Sequence, residues 1–208
     1  MDKKKSFLGA MLKDAFILFA ITLISGVLLG FFYDLTKDII AQRKAEAKIA
    51  ANQAVCPSAA TFEEDEAIKA ALAQNNVITF ENGDTCEIDD VLLGKDGSGN
   101  SVGYVITVTS KNGYNGDIQM SVGIDLEGIV TGVEMLSINE SAGLGANASK
   151  AEFREQYKGK AVEQFSVTKT GKTQDNEIDA LSGATITSKA VTNGVNAALQ
   201  IFRQAAGM

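Results

Sequence analysis

Nineteen consecutive residues, Ala15 to Tyr33 (AFILFAITLISGVLLGFFY), carry no charge and are bounded by Asp14 and Asp34. As an α-helix this run is about 28 Å long. That is close to the thickness of a bilayer's hydrocarbon core, which only helices and closed barrels can cross with their backbone groups satisfied. A cleaved signal sequence is the rival reading, because Lys3, Lys4 and Lys5 stand in front. The apolar stretch is too long for that, and no small-residue cleavage site follows promptly. Residues 15–33 therefore read as a retained single-pass transmembrane helix. Lys3, Lys4, Lys5 and Lys13 precede it and Lys37, Arg43, Lys44 and Lys48 follow it, so the positive-inside rule leaves its orientation open. Within it Gly26 and Gly30 form a G-x-x-x-G, with Thr22 one turn earlier. Small residues on one face let a partner helix approach closely in lipid, although glycine is also common in membrane helices without that role.

Around this helix the chain divides into four parts. Residues 1–14 are a basic N-terminal segment. Residues 15–33 are the span, and residues 34–56 are a helical stalk rich in Ala, Lys, Glu and Gln, with Pro57 as its stop. Residues 57–208 form one domain. Glu63 to Leu72 reads as a short helix. Ser101–Thr109 is β-rich and Lys111–Gly116 is turn-like. Ile118, Met120, Val122 and Ile124 alternate, and Leu126–Gly128 turns into a strand from Ile129 to Leu136. Together these predict an antiparallel meander with one buried face. Ala151–Tyr157 reads as a helix. Ser188–Gln204 reads as a longer one, with Val191, Val195, Leu199 and Phe202 on one face. The fold class is α+β: a single N-terminal transmembrane helix, then an antiparallel sheet with flanking helices.

Composition narrows the chemistry. The chain has no histidine, which removes Ser-His-Asp and Cys-His catalysis and histidine-ligated metals. Cys56 and Cys86 are the two cysteines, too few for an iron–sulfur cluster or a four-cysteine zinc site. The net charge of −7 argues against a nucleic-acid partner, which calls for an excess of Lys and Arg. Redox chemistry here would need an organic cofactor.

The most informative stretch is Asp179-Ala180-Leu181-Ser182-Gly183-Ala184-Thr185, followed by Ile186-Thr187-Ser188. A loop of small and hydroxyl residues feeding a helix N-terminus offers free backbone N–H groups and a positive dipole end, which suit a phosphate. Taken as loop physics alone, an ordinary Ser/Thr cap is the commoner explanation. Upstream, Gly143 and Gly145 of Asn139-Glu140-Ser141-Ala142-Gly143-Leu144-Gly145 permit positive φ and the close approach of a planar ligand.

Asp-x-x-Ser-Gly-Ala-Thr resembles the flavinylation signature of respiratory subunits that receive FMN from an FAD-dependent flavin transferase. Gly113-Tyr114-Asn115-Gly116, Val122-Gly123-Ile124-Asp125 and the 139–145 segment resemble successive pieces of FMN-binding domains in order and spacing. The family's usual wording at the third piece is His-Glu-Thr-Pro-Gly-Leu-Gly. This chain differs at Asn139, Ser141 and Ala142 and keeps Glu140, Gly143, Leu144 and Gly145. With the anchor, the whole resembles the G subunits of the Rnf complex, the ion-translocating ferredoxin:NAD+ oxidoreductase. The C subunits of sodium-pumping NADH:quinone reductases are related but typically longer.

The resemblance implies FMN held covalently by a phosphoester to Thr185, with AMP released on loading and the transferase activating the hydroxyl. Ser182, Gly183 and Ala184 would help seat the phosphate, with Thr187 a further donor. Glu140, Gly143 and Leu144 would border the isoalloxazine ring. It implies an electron-carrying subunit that completes no reaction alone. The domain would lie on the extracytoplasmic side of the cell membrane, with the other Rnf subunits, the transferase and membrane lipid as partners. In that oxidising compartment Cys56 and Cys86 could form a disulfide or stay as two free thiols. Two other readings stay open: a cofactor-free single-span adaptor, in which Ser-Gly-Ala-Thr is merely a capping loop, and a stand-alone flavin reductase.

Overall fold

The structure, a computed structural model, describes residues 2–65, 68, 69, 72 and 75–205, the side chains from residue 11 onward. A continuous helix α1 (Asp2–Val55) opens the chain. It contains an apolar stretch long enough to cross a bilayer, whose side chains, such as Phe16 and Leu29, stand exposed. The chain separates into two compact units, Met1–Glu46 and Ala47–Met208. The last two turns of α1 thus group with the sheet that follows them.

The second unit is built on β1 (Thr61–Glu64), β2 (Val77–Thr79), β3 (Thr85–Lys95), β4 (Ser101–Gly113), β5 (Gly116–Asp125) and β6 (Val130–Ile138). All pair antiparallel in the order β1-β3-β4-β5-β6, and β2 shares the outer edge of β3 with β1. After β6 come a 3₁₀ turn (Gly145–Ser149) and a short helix α2 (Ala151–Arg154). The parallel pair β7 (Ser166–Thr168) and β8 (Glu177–Asp179) follows, and α3 (Thr185–Ala205) closes the chain.

The meander stands where the alternating residues put it, but both of its faces are covered. On one face α3 packs across β3, β4 and β5. Val191, Val195, Leu199 and Phe202 meet Ile106, Val108, Met120 and Val122 in a single buried core. On the other face lies the segment ending α1. There Val55, Cys56 and Ala59 cluster with Val105. Gly123 and Gly132, paired across β5 and β6, make that approach possible. A Cβ at Gly123 would stand 2.1 Å from the Val55 carbonyl oxygen, and one at Gly132 would be 3.1 Å from Val55 Cα. The Thr131 hydroxyl donates to the same carbonyl, and Ser121 donates to Asn52 Oδ1 at 3.1 Å. This second cover explains the run of six consecutive buried residues in β4, Val105 to Ser110, where a one-faced sheet would alternate.

Other expectations shift. Glu63 and Glu64 are not helical: they pair with Leu93 and Leu92 in β1. The remainder of the short helix expected there lies largely outside the described residues. The helix expected over 151–157 keeps helical form only to Arg154 and continues as turns. The closing helix starts three residues early, at Thr185. Cys56 and Cys86 are both free. They are buried in separate apolar clusters, and burial pushes the Cys86 thiol up to about 11.

Candidate functional site

The N-terminus of α3 is prepared by a tight turn. The Ala184 N–H donates to the Leu181 carbonyl at 3.0 Å, and Gly183 takes φ +71°, a conformation that L side chains rarely adopt. Ser188, one turn into the helix, locks this turn. Its hydroxyl accepts from the Leu181 N–H at 2.9 Å and donates to the Ala184 carbonyl at 2.9 Å. The first helical bond is from the Ser188 N–H to the Ala184 carbonyl, at 3.0 Å. The N–H groups of Thr185, Ile186 and Thr187 therefore precede it and have no helical acceptor. Upstream, Asp179 anchors the loop that delivers this turn: its carboxylate accepts the Lys172 N–H at 2.7 Å. Its own N–H donates to Gln156 Oε1 at 2.8 Å.

A second element comes from the other end of the meander. Glu140, just past β6, clasps the β4–β5 hairpin to the start of α3. Its Oε1 accepts the Tyr114 N–H at 2.7 Å and the Asn115 N–H at 3.3 Å. Its Oε2 accepts the buried Thr187 hydroxyl at 3.1 Å. Asn139 presents its carbonyl to Asn115 Nδ2 at 2.8 Å. Gly145 is needed for space: it lies outside the positive-φ set, but a Cβ there would stand 2.6 Å from both Glu140 Oε2 and Thr187 Oγ1. Gly143 does adopt positive φ, +76°. Asn147 Nδ2 holds its carbonyl at 2.8 Å.

Between hairpin, loop and helix lies a cleft of ≈ 410 Å³, within the ~300–1,000 Å³ typical of ligand sites. Glu140, Leu144, Gly183, Ala184, Thr185 and Thr187, all picked out from the sequence, line it. Ser182 and Gly143 belong to its loops but are not among its lining residues. Tyr114, Ser141, Gly145 and Ile186 line it as well. Tyr114 stood in the Gly-Tyr-Asn-Gly segment and Ile186 in the run after Thr185 without being picked out as cleft residues, and the structure leaves both exposed along with Leu144. Gly183 and Leu144 meet across the cleft, where a Cβ on Gly183 would come within 3.1 Å of Leu144 Cδ2. No group of His, Cys, Asp and Glu fit to hold a metal occurs among the described residues.

Free N–H groups and hydroxyls at one end and an exposed apolar rim at the other fit a phosphate and a planar ring. They belong to a small α+β domain that follows one long apolar helix, and they suit a ligand with both parts. Comparison agrees: the FMN-binding domain family matches residues 113–200, and the RnfG N-terminal region matches residues 1–55. The G subunit of the Na(+)-translocating ferredoxin:NAD(+) oxidoreductase complex of Acetobacterium woodii is 34% identical over 92% of this chain and 91% of its own length. The G subunit of the ion-translocating oxidoreductase complex of Methanosarcina acetivorans is 31% identical over 86% and 87%. Among solved structures, the C subunit of the Na(+)-translocating NADH-quinone reductase of Parabacteroides distasonis is similar. It has a TM-score of 0.48 and 23% identity over 77% of this chain and 94% of that one. The chain belongs to the family of G subunits of ion-translocating ferredoxin:NAD+ oxidoreductase complexes. It is a single-pass membrane protein with an FMN-binding domain.

Proposed function

We propose that this chain is the electron-carrying G subunit of an Rnf-type complex, with FMN held covalently through a phosphoester on Thr185. The observation that carries the reading is the position of Thr185. It is the first residue of α3, it lines the cleft, and it is followed by N–H groups that no helical carbonyl takes up. When bound, FMN supplies the redox chemistry of the subunit. The protein's own residues do the seating. Gly183 and Ser188 shape the turn that presents the Thr185 hydroxyl. The N–H groups at the start of α3 and the neighbouring loop take the phosphate. Leu144, Ile186 and Tyr114 supply apolar surface for the ring.

A threonine hydroxyl is a weak nucleophile without a base beside it, and no histidine exists in this chain to serve. Activation therefore falls to a flavin transferase, which delivers the FMN portion of FAD to Thr185 Oγ while AMP leaves. The domain works on the extracytoplasmic side, with the other subunits of the complex as neighbours and α1 in lipid.

The test is coexpression with a flavin transferase, followed by denaturation and in-gel flavin fluorescence. Wild type should fluoresce and Thr185→Ala should not, with the fold retained, since Thr185 follows the capping position at Ala184 and alanine suits the first turn of a helix. Thr187→Ala controls for register. Fluorescence that persists in Thr185→Ala and vanishes in Thr187→Ala would move the tether. A dark wild type beside an active transferase would return the chain to the cofactor-free adaptor class.

A further inference from the structure

The cleft has a charge character that this reading does not require. None of its ten lining residues is Lys or Arg, and one, Glu140, is a carboxylate. That charge is fixed in place. One oxygen is held by two backbone N–H groups of the hairpin and the other by the Thr187 hydroxyl. Gly145 closes against it without room for a Cβ. A helix N-terminus offers only about half a positive charge, against the full negative charge on Glu140. Free FMN is a phosphate monoester carrying roughly −1.5 to −2 at pH 7; the ester to threonine is a diester with a single negative charge.

Resting on the flavin reading above, we propose that Glu140 is a specificity-determining residue that turns free FMN away from this cleft. The flavin then resides there only as the singly charged Thr185 ester, and the unloaded Thr185 hydroxyl stays open to the transferase. Glu140 is also a clasp, so charge and geometry must be separated. Glu140→Gln does this: its carbonyl can accept from Tyr114 and Asn115, and its amide can donate to the Thr187 oxygen.

The experiment uses the full chain in detergent, made without a flavin transferase and shown by intact mass to be unmodified. It is titrated with FMN and with riboflavin, which has no phosphate, by flavin fluorescence. Wild type should bind riboflavin at least as tightly as FMN. Raising the salt from about 0.02 M to about 1 M should improve FMN relative to riboflavin, because screening weakens the repulsion. E140Q should raise FMN affinity relative to riboflavin roughly three- to tenfold at low salt, the size expected of one nearby charge in a partly hydrated site. The proposal is overturned by wild type preferring FMN, by a salt response of the opposite sign, or by E140Q shifting both flavins alike. If wild type binds neither flavin, E140Q binding FMN supports the proposal and E140Q binding neither overturns it. The net charge of −7 gives a salt response of the same sign, so the salt series supports the proposal only beside a variant; should E140Q fail to fold, Glu140→Ala is read by the same FMN-to-riboflavin ratio. Covalent fluorescence in the transferase experiment is scored independently, so the tether and the charge gate can fail separately.

Discussion

The first and last helices of this chain are both rich in apolar residues, yet α1 turns them outward and α3 turns them inward. Between residues 15 and 33 the apolar side chains surround the helix; Phe16 is 70% exposed and Leu29 71%. In α3 they form one stripe, and Val191, Val195, Leu199 and Phe202 are buried in the core. Lys189, off the stripe, stays at the surface. Distribution rather than amount decides the surroundings: a stripe docks on a sheet, and an apolar surface all round needs lipid or other helices. Glycine shows the same contrast. Gly26 and Gly30 in α1 have nothing within 4 Å of where a Cβ would stand, whereas at Gly194 in α3 it would meet Met120 Cε at 2.7 Å.

The largest effect should separate two phenylalanines. Phe202 packs edge-on against Tyr104, with ring centroids 5.8 Å apart, so Phe202→Ala should cost the domain about 3–5 kcal/mol. Phe16→Ala, on the outer surface of α1, should leave thermal unfolding of the domain in detergent unchanged. Equal losses in the two variants would break the contrast.

A smaller effect is expected at the glycines. Gly194→Ala gains about 1 kcal/mol of helix propensity but must displace the end of Met120, and overpacking a core costs about 1–3 kcal/mol. A net loss of up to about 2 kcal/mol is expected in a denaturation series. Gly26→Leu with Gly30→Leu should leave the stability of the isolated chain untouched and reduce copurification with the other membrane subunits. An intact, active complex from the double variant would mean that this face meets only lipid.

What could be read from the sequence followed from pattern. The uncharged run, the meander and the α3 stripe have strong periods, and Ser-Gly-Ala-Thr lies at the helix start because its small residues suit that turn. β3 was not legible because its alternation is broken: Asp89 and Asp90 fall at a register shift between Ile88 and Asp90. β7 and β8, three residues each, are too short to carry a period. The second buried face depended on Gly123 and Gly132 acting as absent side chains under Val55, which no hydrophobic pattern records. Glu140 stood out as a residue near the ring. Its bonds to Tyr114, Asn115 and Thr187 join segments about 25 and 47 positions away, and only the fold brings these together.

Acid should separate the two helices by a smaller and graded effect. Several carboxylates of the second unit are held below their ordinary values. For Glu177 the main cause is the Thr173 N–H, then the Thr173 hydroxyl and the Gln174 N–H. For Asp96 it is the Asn100 N–H, aided by the Asn100 side chain and the Ser98 N–H. For Glu87 it is Lys111, then Asn76. A carboxylate depressed in the folded state stabilises the fold above its unfolded value, 4.5 for Glu and 3.8 for Asp. That contribution is lost as pH falls through the folded value. All three groups are only half-buried and in contact with water, so each contributes little, and their losses accumulate below about pH 4.5. The melting temperature of the domain should be flat from pH 7 to 5 and decline below that. The membrane stretch of α1, held in a micelle by its apolar surface, should keep its far-ultraviolet helical signal at pH 3 while the near-ultraviolet signal of the domain fades. Glu177→Gln should shallow the decline, because one of the groups that must be protonated is gone. A domain equally stable at pH 3 and pH 7 would show that these loop carboxylates contribute nothing. Loss of the α1 helix at the same pH as the domain would show that the two helices do not stand in separate surroundings.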